Sequence, residues 1–140
     1  MRATLTELNA EWTELVATST RPVADWVSRC PQLRPAADLD GLLDVIRADP
    51  DAAMGALLGL GRDGDQLAWR VVLQAMLGTV VLLCRRRPDR FDEAVSELWL
   101  AIADYPLHRR PRSIPANLSW TVRRWFAEPS ALEPAPGTPE

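Results

Sequence analysis

An all-α fold, a single multi-helix bundle, is what this chain predicts, on three observations. Apolar residues recur three and four positions apart in segment after segment, the spacing of one helix face. No segment sustains the apolar–polar alternation of a half-buried strand. Prolines, glycines and aspartates fall between the periodic stretches, where helices begin and end.

The elements follow in order. Leu5, Leu8, Trp12, Leu15 and Val16 mark a helix over Thr4–Ala17. Val23–Cys30 reads as a shorter one, with Pro22 suited to a first helical turn. Asp38 or Asp40 is placed to cap Leu39–Ala48, where Leu42, Leu43 and Ile46 share a face. Asp51–Leu60 comes next, closed by Gly61, and Asp65 is placed to cap the longest helix, Gln66–Arg86. That helix is apolar around more than half its circumference, so it is expected at the centre with the others around it. Its Arg85, Arg86 and Arg87 sit where the helix dipole favours cations, and Asp92 and Glu93 open the next helix where it favours anions. This next helix runs to Tyr105 with Phe91, Val95, Leu98, Ile102 and Tyr105 in one stripe. A final helix, Ala116–Phe126, turns Leu118, Val122 and Trp125 one way and Trp120, Arg123 and Arg124 another.

A chain of 140 residues, 47% hydrophobic, is sized for one domain with one core. That domain is expected over 1–126, built from an N-terminal helical segment, 1–62, and a second part, 63–126. The proline-rich remainder, 127–140, reads as a disordered tail. No charge-free apolar run reaches the length of a membrane span, since Gln74, Gly78 and Thr79 break the best one, and Met1–Leu5 lacks a signal-peptide core. Two cysteines, Cys30 and Cys84, make neither a disulfide framework nor a zinc site. A cytoplasmic protein with reduced thiols is the simplest expectation.

The net charge of −3 conceals a split. Residues 1–65 hold eleven acids and six arginines, residues 66–126 five acids and ten arginines, and the last fourteen residues three acids alone. A basic part is thus joined to an acidic one. All sixteen basic residues are arginine, the side chain suited to bidentate phosphate contacts and to stacking on planar rings.

Catalytic signatures are weak. His108, the single histidine, lies in a Pro-Leu-His-Arg-Arg-Pro link with no evident acid or base partner. Cys84 neighbours Arg85, whose charge favours a thiolate, but a small buried hydrophobe fits its surroundings better. Ser113 and Ser119 lack a glycine elbow or adjacent base. Gly59-x-Gly61-x-x-Gly64 matches a dinucleotide string but follows a helix instead of a strand. Asp38, Asp40, Asp44, Asp49 and Asp51 fit no calcium loop and read as caps and a solvated face. No enzyme activity, metal or cofactor is expected.

The arginines carry more. Arg85, Arg86, Arg87 and Arg90 close one helix; Arg109, Arg110 and Arg112 fill the link; Arg123 and Arg124 flank Trp120 and Trp125. Guanidinium groups for phosphates and indoles for bases are the components of a single-strand-binding surface.

The order Gly64-Asp65-x-x-Ala68, an apolar helix ending in arginines, Phe91-Asp92-Glu93-Ala94-Val95-x-Glu97-Leu98-Trp99-Leu100 and Asn117-Leu118-x-x-x-x-Arg123-Arg124 resembles region 2 of bacterial sigma factors. It is also similar to actinobacterial proteins with the same series continued through Tyr105-Pro106-Leu107 and Arg109-Arg110-Pro111. The likeness covers residues 63–126. It implies that the acidic helix, through Glu93, Glu97 and Asp104, docks on the RNA polymerase core, where it would meet arginines. It implies also that the last helix faces opened promoter DNA. There Trp120 and Trp125 would stack on bases, Arg123 and Arg124 would hold phosphates, and Arg109, Arg110, Arg112 and Asn117 would join the nucleic-acid surface. Thr121 stands where sigma factors usually carry an aspartate, and Pro115 is expected to start a helix where theirs continue. The expected function is therefore transcription regulation through DNA, RNA polymerase or both, with no membrane partner. The alternative is a helical protein–protein interaction module without nucleic-acid binding.

Overall fold

The computed structural model describes residues 4–127. Among them lie seven helices: α1 (Leu5–Thr18), α2 (Thr20–Arg29), α3 (Leu39–Ala48), α4 (Pro50–Arg62), α5 (Gln66–Leu83), α6 (Phe91–Ala103) and α7 (Ile114–Ala127). Two 3-10 turns, Pro31–Leu33 and Pro88–Arg90, complete the regular structure, and the described residues contain no strand. The fold is all-α. Apart from Ala127, which closes α7, the expected tail lies outside the described residues.

Helix α5 is the axis. It packs most extensively on α4 and α6, and also touches α3 and α7. Ala68, Val71, Val72, Leu73, Met76, Leu77 and Val80 are buried along it. At eighteen residues with a mean hydropathy of 1.5, it is long and apolar enough by length and composition to cross a membrane. This corrects the expectation from sequence, because Gln74, Gly78 and Thr79 interrupt an apolar run without interrupting a helix. Its apolar composition matches its place at the centre of a bundle. One core cluster extends from Leu8 on α1 to Val122 on α7. Since α4 packs on α5, α6 and α7, residues before and after position 62 share it.

Polar tethers fix the outer helices. The Trp12 indole on α1 donates to Asp40 Oδ1 at 2.8 Å, and the Trp26 indole on α2 donates to Asp65 Oδ2 at 2.7 Å. Arg70, only 7% exposed, donates from Nε to Glu11 at 2.6 Å, from Nη2 to the Leu8 carbonyl at 2.9 Å and from Nη1 to Gln74 at 2.9 Å. Its guanidinium also stacks 5.5 Å from the Trp12 ring centre. A buried guanidinium needs such a full set of partners. Arg70 therefore welds α1 to α5, although α1 buries only Leu8 and Trp12.

Several ends differ from the sequence reading. Helix α2 starts at Thr20, ahead of Val23, because Pro22 falls in a first turn where no N–H is required. Helix α4 does not close at Gly61 but runs through it to Arg62. Gly61 instead meets the Trp69 indole, which donates to the Leu58 carbonyl at 3.3 Å; a Cβ there would overlap the ring. The turn is made by Gly64, at a φ of 109° open to glycine. Helix α5 stops at Leu83, so Arg85, Arg86 and Arg87 lie past its end. Asp65 occupies the N-cap position but makes no side-chain cap bond, its carboxylate being held by Trp26.

Two substitutions test this packing. Gly61→Ala forces the indole off α4 and is expected to cost about 1–3 kcal/mol in a denaturant titration. Leu98→Ala, at a fully buried site on α6, is expected to cost about 2–5 kcal/mol by the same measurement.

Candidate nucleic-acid interface

Helices α6 and α7 run antiparallel, because Tyr105 just past α6 meets Asn117 near the start of α7 while Arg90 just before α6 meets the end of α7. At the first end the chain turns through Pro106–Arg110, with the Arg109 and Arg110 N–H groups donating to the Pro106 carbonyl at 3.1 and 2.9 Å. Tyr105 organises this turn. Its hydroxyl donates to the Arg110 carbonyl at 2.7 Å and accepts from Asn117 Nδ2 at 3.0 Å, and its own carbonyl accepts from Arg62 at 3.2 Å. Asn117 Nδ2 also donates to the Arg112 carbonyl at 3.1 Å.

Asp51 of α4 starts α7. Its carboxylate oxygens accept from the Ser113 and Ile114 N–H groups, each at 2.9 Å. These are the donors a helix start leaves open, here satisfied from another helix. Ser113 sits at a φ of 57°, a left-handed conformation unusual for a non-glycine residue, and the Asp51 bond holds it there. The bonds from Ile114 and Ser113 lower the Asp51 carboxyl below its ordinary value; desolvation opposes them and nearby Arg112 adds to the lowering. Helix α7 begins at Ile114, two residues ahead of the expected Ala116, with Pro115 at its second position, in the first turn that proline favours.

At the other end, the Arg90 guanidinium lies 4.6 Å from the ring centres of both Trp125 and Phe126, with Glu93 3.9 Å away. Trp125 and Phe126 meet edge to face. Both ends of α7 are therefore pinned, and its roll about its axis is fixed by Ile114, Leu118 and Val122 in the core.

The outward face is the consequence. Trp120 is 60% exposed. Arg123 and Arg124, three and four positions on, share its face and are exposed. Arg109, Arg110 and Arg112 are exposed at the start of α7. None of these five arginine side chains forms a hydrogen bond or ion pair among the described residues. Two of the expected contact residues belong elsewhere. Trp125 is half-buried under Arg90, which covers a face that a stacked base would need, and Asn117 gives its amide N–H donors to the Tyr105 hydroxyl and the Arg112 carbonyl. The structure thus brings Trp120, Arg123 and Arg124 together and sets the loop arginines apart, at the far end of a helix about 20 Å long.

Along α6 and its C-cap residue Asp104, Glu93 and Asp104 are exposed and Glu97 half-buried, with Leu100, 55% exposed, along the same stripe. An acidic strip around an apolar side chain can meet a basic partner surface.

The remaining candidates have local explanations. Asp38 caps α3 through the Gly41 N–H at 2.8 Å and Asp49 caps α4 through Ala52. Asp40 holds Trp12, Asp44 pairs with Arg47 and Asp51 caps α7. No group of three metal-binding side chains occurs among the described residues. Burial pushes the Cys84 thiol up, with the Arg90 charge a smaller opposing effect, so no thiolate is favoured by Arg85. His108 is exposed on its turn. Sequence reasoning missed Asp51 as the cap of α7 and Arg90 as its clamp. Both act across more than thirty residues or between elements, and the one available signal was an aspartate in the first turn of α4 with no local N–H partner.

Comparisons with protein-family models, curated proteins and solved structures find no match to this chain.

The depressed Asp51 carboxyl sets a pH dependence. Its contribution is present above the ordinary carboxyl value and is lost as pH falls through the lower folded value. The melting temperature of Asp51→Asn should fall below wild type at pH 7, and the gap should narrow as pH falls below the ordinary carboxyl value of 3.8.

Proposed function

We propose that the protein regulates transcription by binding DNA, RNA polymerase or both, with the outer face of α7 taking unpaired nucleic acid. The observation that carries this reading is Trp120, 60% exposed beside Arg123 and Arg124. An indole open on its face accepts a base of any identity, and two adjacent guanidiniums accept the phosphates on either side. The acidic strip of Glu93, Glu97 and Asp104 is the surface for arginines of the polymerase core. A duplex offers no free base face, so single-stranded or opened DNA is the preferred form.

The second reading is a helical interaction module that binds protein alone. Leu100, 55% exposed among those acids, favours it. Ionic strength separates the two, because phosphate contacts release counterions and an apolar interface does not.

Binding of an end-labelled single-stranded oligonucleotide, followed by anisotropy between 50 and 200 mM salt, tests the proposal. Wild type should weaken steeply with salt. Arg123→Ala with Arg124→Ala should lower the log–log salt slope by about 1.4, two contacts at ~0.7 each. Trp120→Ala should weaken binding by roughly 5–150-fold, for one lost stacking contact of about 1–3 kcal/mol. Salt-insensitive binding, or variants equal to wild type with helicity intact, would exclude α7 as a nucleic-acid surface. Reversing the charges of Glu93, Glu97 and Asp104 should abolish capture of purified polymerase core.

A further inference from the structure

Helix α1 makes its main helix–helix contact with α3 and buries only Leu8 and Trp12. Towards α5 and α6 it leaves a seam open. We propose that this seam receives the outer face of α7 from a second copy of the chain. The proposal does not depend on the nucleic-acid reading of α7, although the two uses of that face exclude each other at any one moment.

Two cavities map the seam. One, of about 610 Å³, lies among Leu5, Val81, Cys84, Phe91 and Asp92. The other, of about 430 Å³, lies among Leu8, Glu11, Leu73, Val95, Trp99 and Leu100. Leu5 lines the first and Leu8 the second, one turn apart on α1; Asp92 and Ser96 do the same on α6. The cavities therefore succeed each other along the same faces of α1 and α6, with α5 as the floor. From Phe91 to Leu100 the seam follows α6 for about 14 Å.

The exposed apolar side chains sort by place. Of the five large ones among the described residues, Leu5, Val81 and Leu100 line the seam at 37%, 38% and 55% exposure, Leu82 follows Val81, and Trp120 stands alone on α7. Apolar surface gathered along one groove marks an interaction site, as scattered single residues do not.

Charge names the occupant. Helices α1 and α6 together contain six acids and no base. Arg70 answers Glu11, and Arg90 lies 3.9 Å from Glu93; Glu7, Glu14, Asp92 and Glu97 make no ion pair among the described residues. Glu7, Glu11 and Glu14 share one side of α1, while Glu93, Glu97 and Asp104 border Leu100 on α6. The seam is thus an apolar trough between acidic rims. Its complement is a helix with one large apolar projection beside basic side chains and no acids. Helix α7 has that composition: it carries Arg123 and Arg124 and no acid, with Trp120 60% exposed beside them. Seated at the Leu100 end, the Trp120 indole meets Trp99 and Leu100 while its arginines meet the rim. Arg85, at the far cavity, repels those arginines and sets the direction of entry.

One molecule cannot make this contact with itself. Ile114, Leu118 and Val122 hold the inner side of α7 in its own core, and both ends of the helix are pinned, so its outer face points away. Because the two faces differ, a pair of chains joined once keeps one of each unused, and association can continue.

Sedimentation velocity of the full chain over a wide concentration range decides the matter. At low salt the wild-type mass should rise with concentration, and added salt should reverse the rise. Two variants are compared. Trp120→Ala/Arg123→Ala/Arg124→Ala strips the α7 face, and Leu100→Arg/Asp104→Arg blocks the groove at two exposed positions. Each alone should stay monomeric with wild-type circular dichroism. Their equimolar mixture should form a complex of two chains and nothing larger, because one intact face meets one intact groove. A wild type that is monomeric throughout, a mixture that stays monomeric, or self-association that survives in either variant would overturn the proposal. So would a monomeric wild type whose groove variant loses capture of polymerase core, which would give the groove to a foreign partner. Wild type that binds oligonucleotide but never associates leaves the nucleic-acid reading standing; association without oligonucleotide binding leaves the second copy alone as the partner of α7.

Discussion

The contact on which the arrangement depends is Trp69 against the bare backbone of Gly61. It brings α4 and α5 closer than any side chain at position 61 would permit. From that pair the rest is hung. Helix α4 carries Asp51, which starts α7. Helix α5 carries Arg70, which holds α1, and Asp65 at its beginning receives the indole of α2. Helix α6 closes on α5 through Leu98 and the edge-to-face Trp69–Trp99 pair. Four neighbours are positioned by one close approach.

Polar groups supply the orientation that apolar burial lacks. Hydrophobic contact draws helices together without specifying their roll, while a buried donor tolerates few geometries. Trp12, Trp26 and Trp69 each donate an indole N–H across to another element, and Arg70 is fully engaged. No buried side-chain nitrogen or oxygen lacks a partner among the described residues. The same device recurs at α7, where Asp51, Tyr105 and Asn117 set one end and Arg90 the other. Trp120 and its two arginines face outward because Ile114, Leu118 and Val122 turn the opposite side of that helix into the core.

Much of this was legible in the sequence, for identifiable reasons. Apolar periodicity placed all seven helices, since burying one face per helix is what the sequence must encode. It also gave the buried stripe of α6 and the outward turn of Trp120, Arg123 and Arg124. Ends were less legible: a glycine that stops a helix and a glycine that admits an indole look alike in Gly61. Side chains acting between elements were illegible, because Asp51 and Asp65 resemble ordinary local caps until the fold supplies a distant donor. Trp125 and Asn117 matched the composition of a binding surface, and tertiary contacts claimed both. Partner identity was not legible from pattern at all, because a basic and aromatic helix face describes chemistry without naming who meets it.

Six tryptophans in a small protein would ordinarily make its optical signal hard to assign. Here five are enclosed or half-enclosed, three of them with bonded N–H groups, and Trp120 alone has water around most of its ring. The long-wavelength edge of the intrinsic emission therefore belongs to a single indole on a single face. This molecule carries its own unlabelled reporter at the place where its chemistry is most exposed, and whatever settles on α7 will dim or shift that light first.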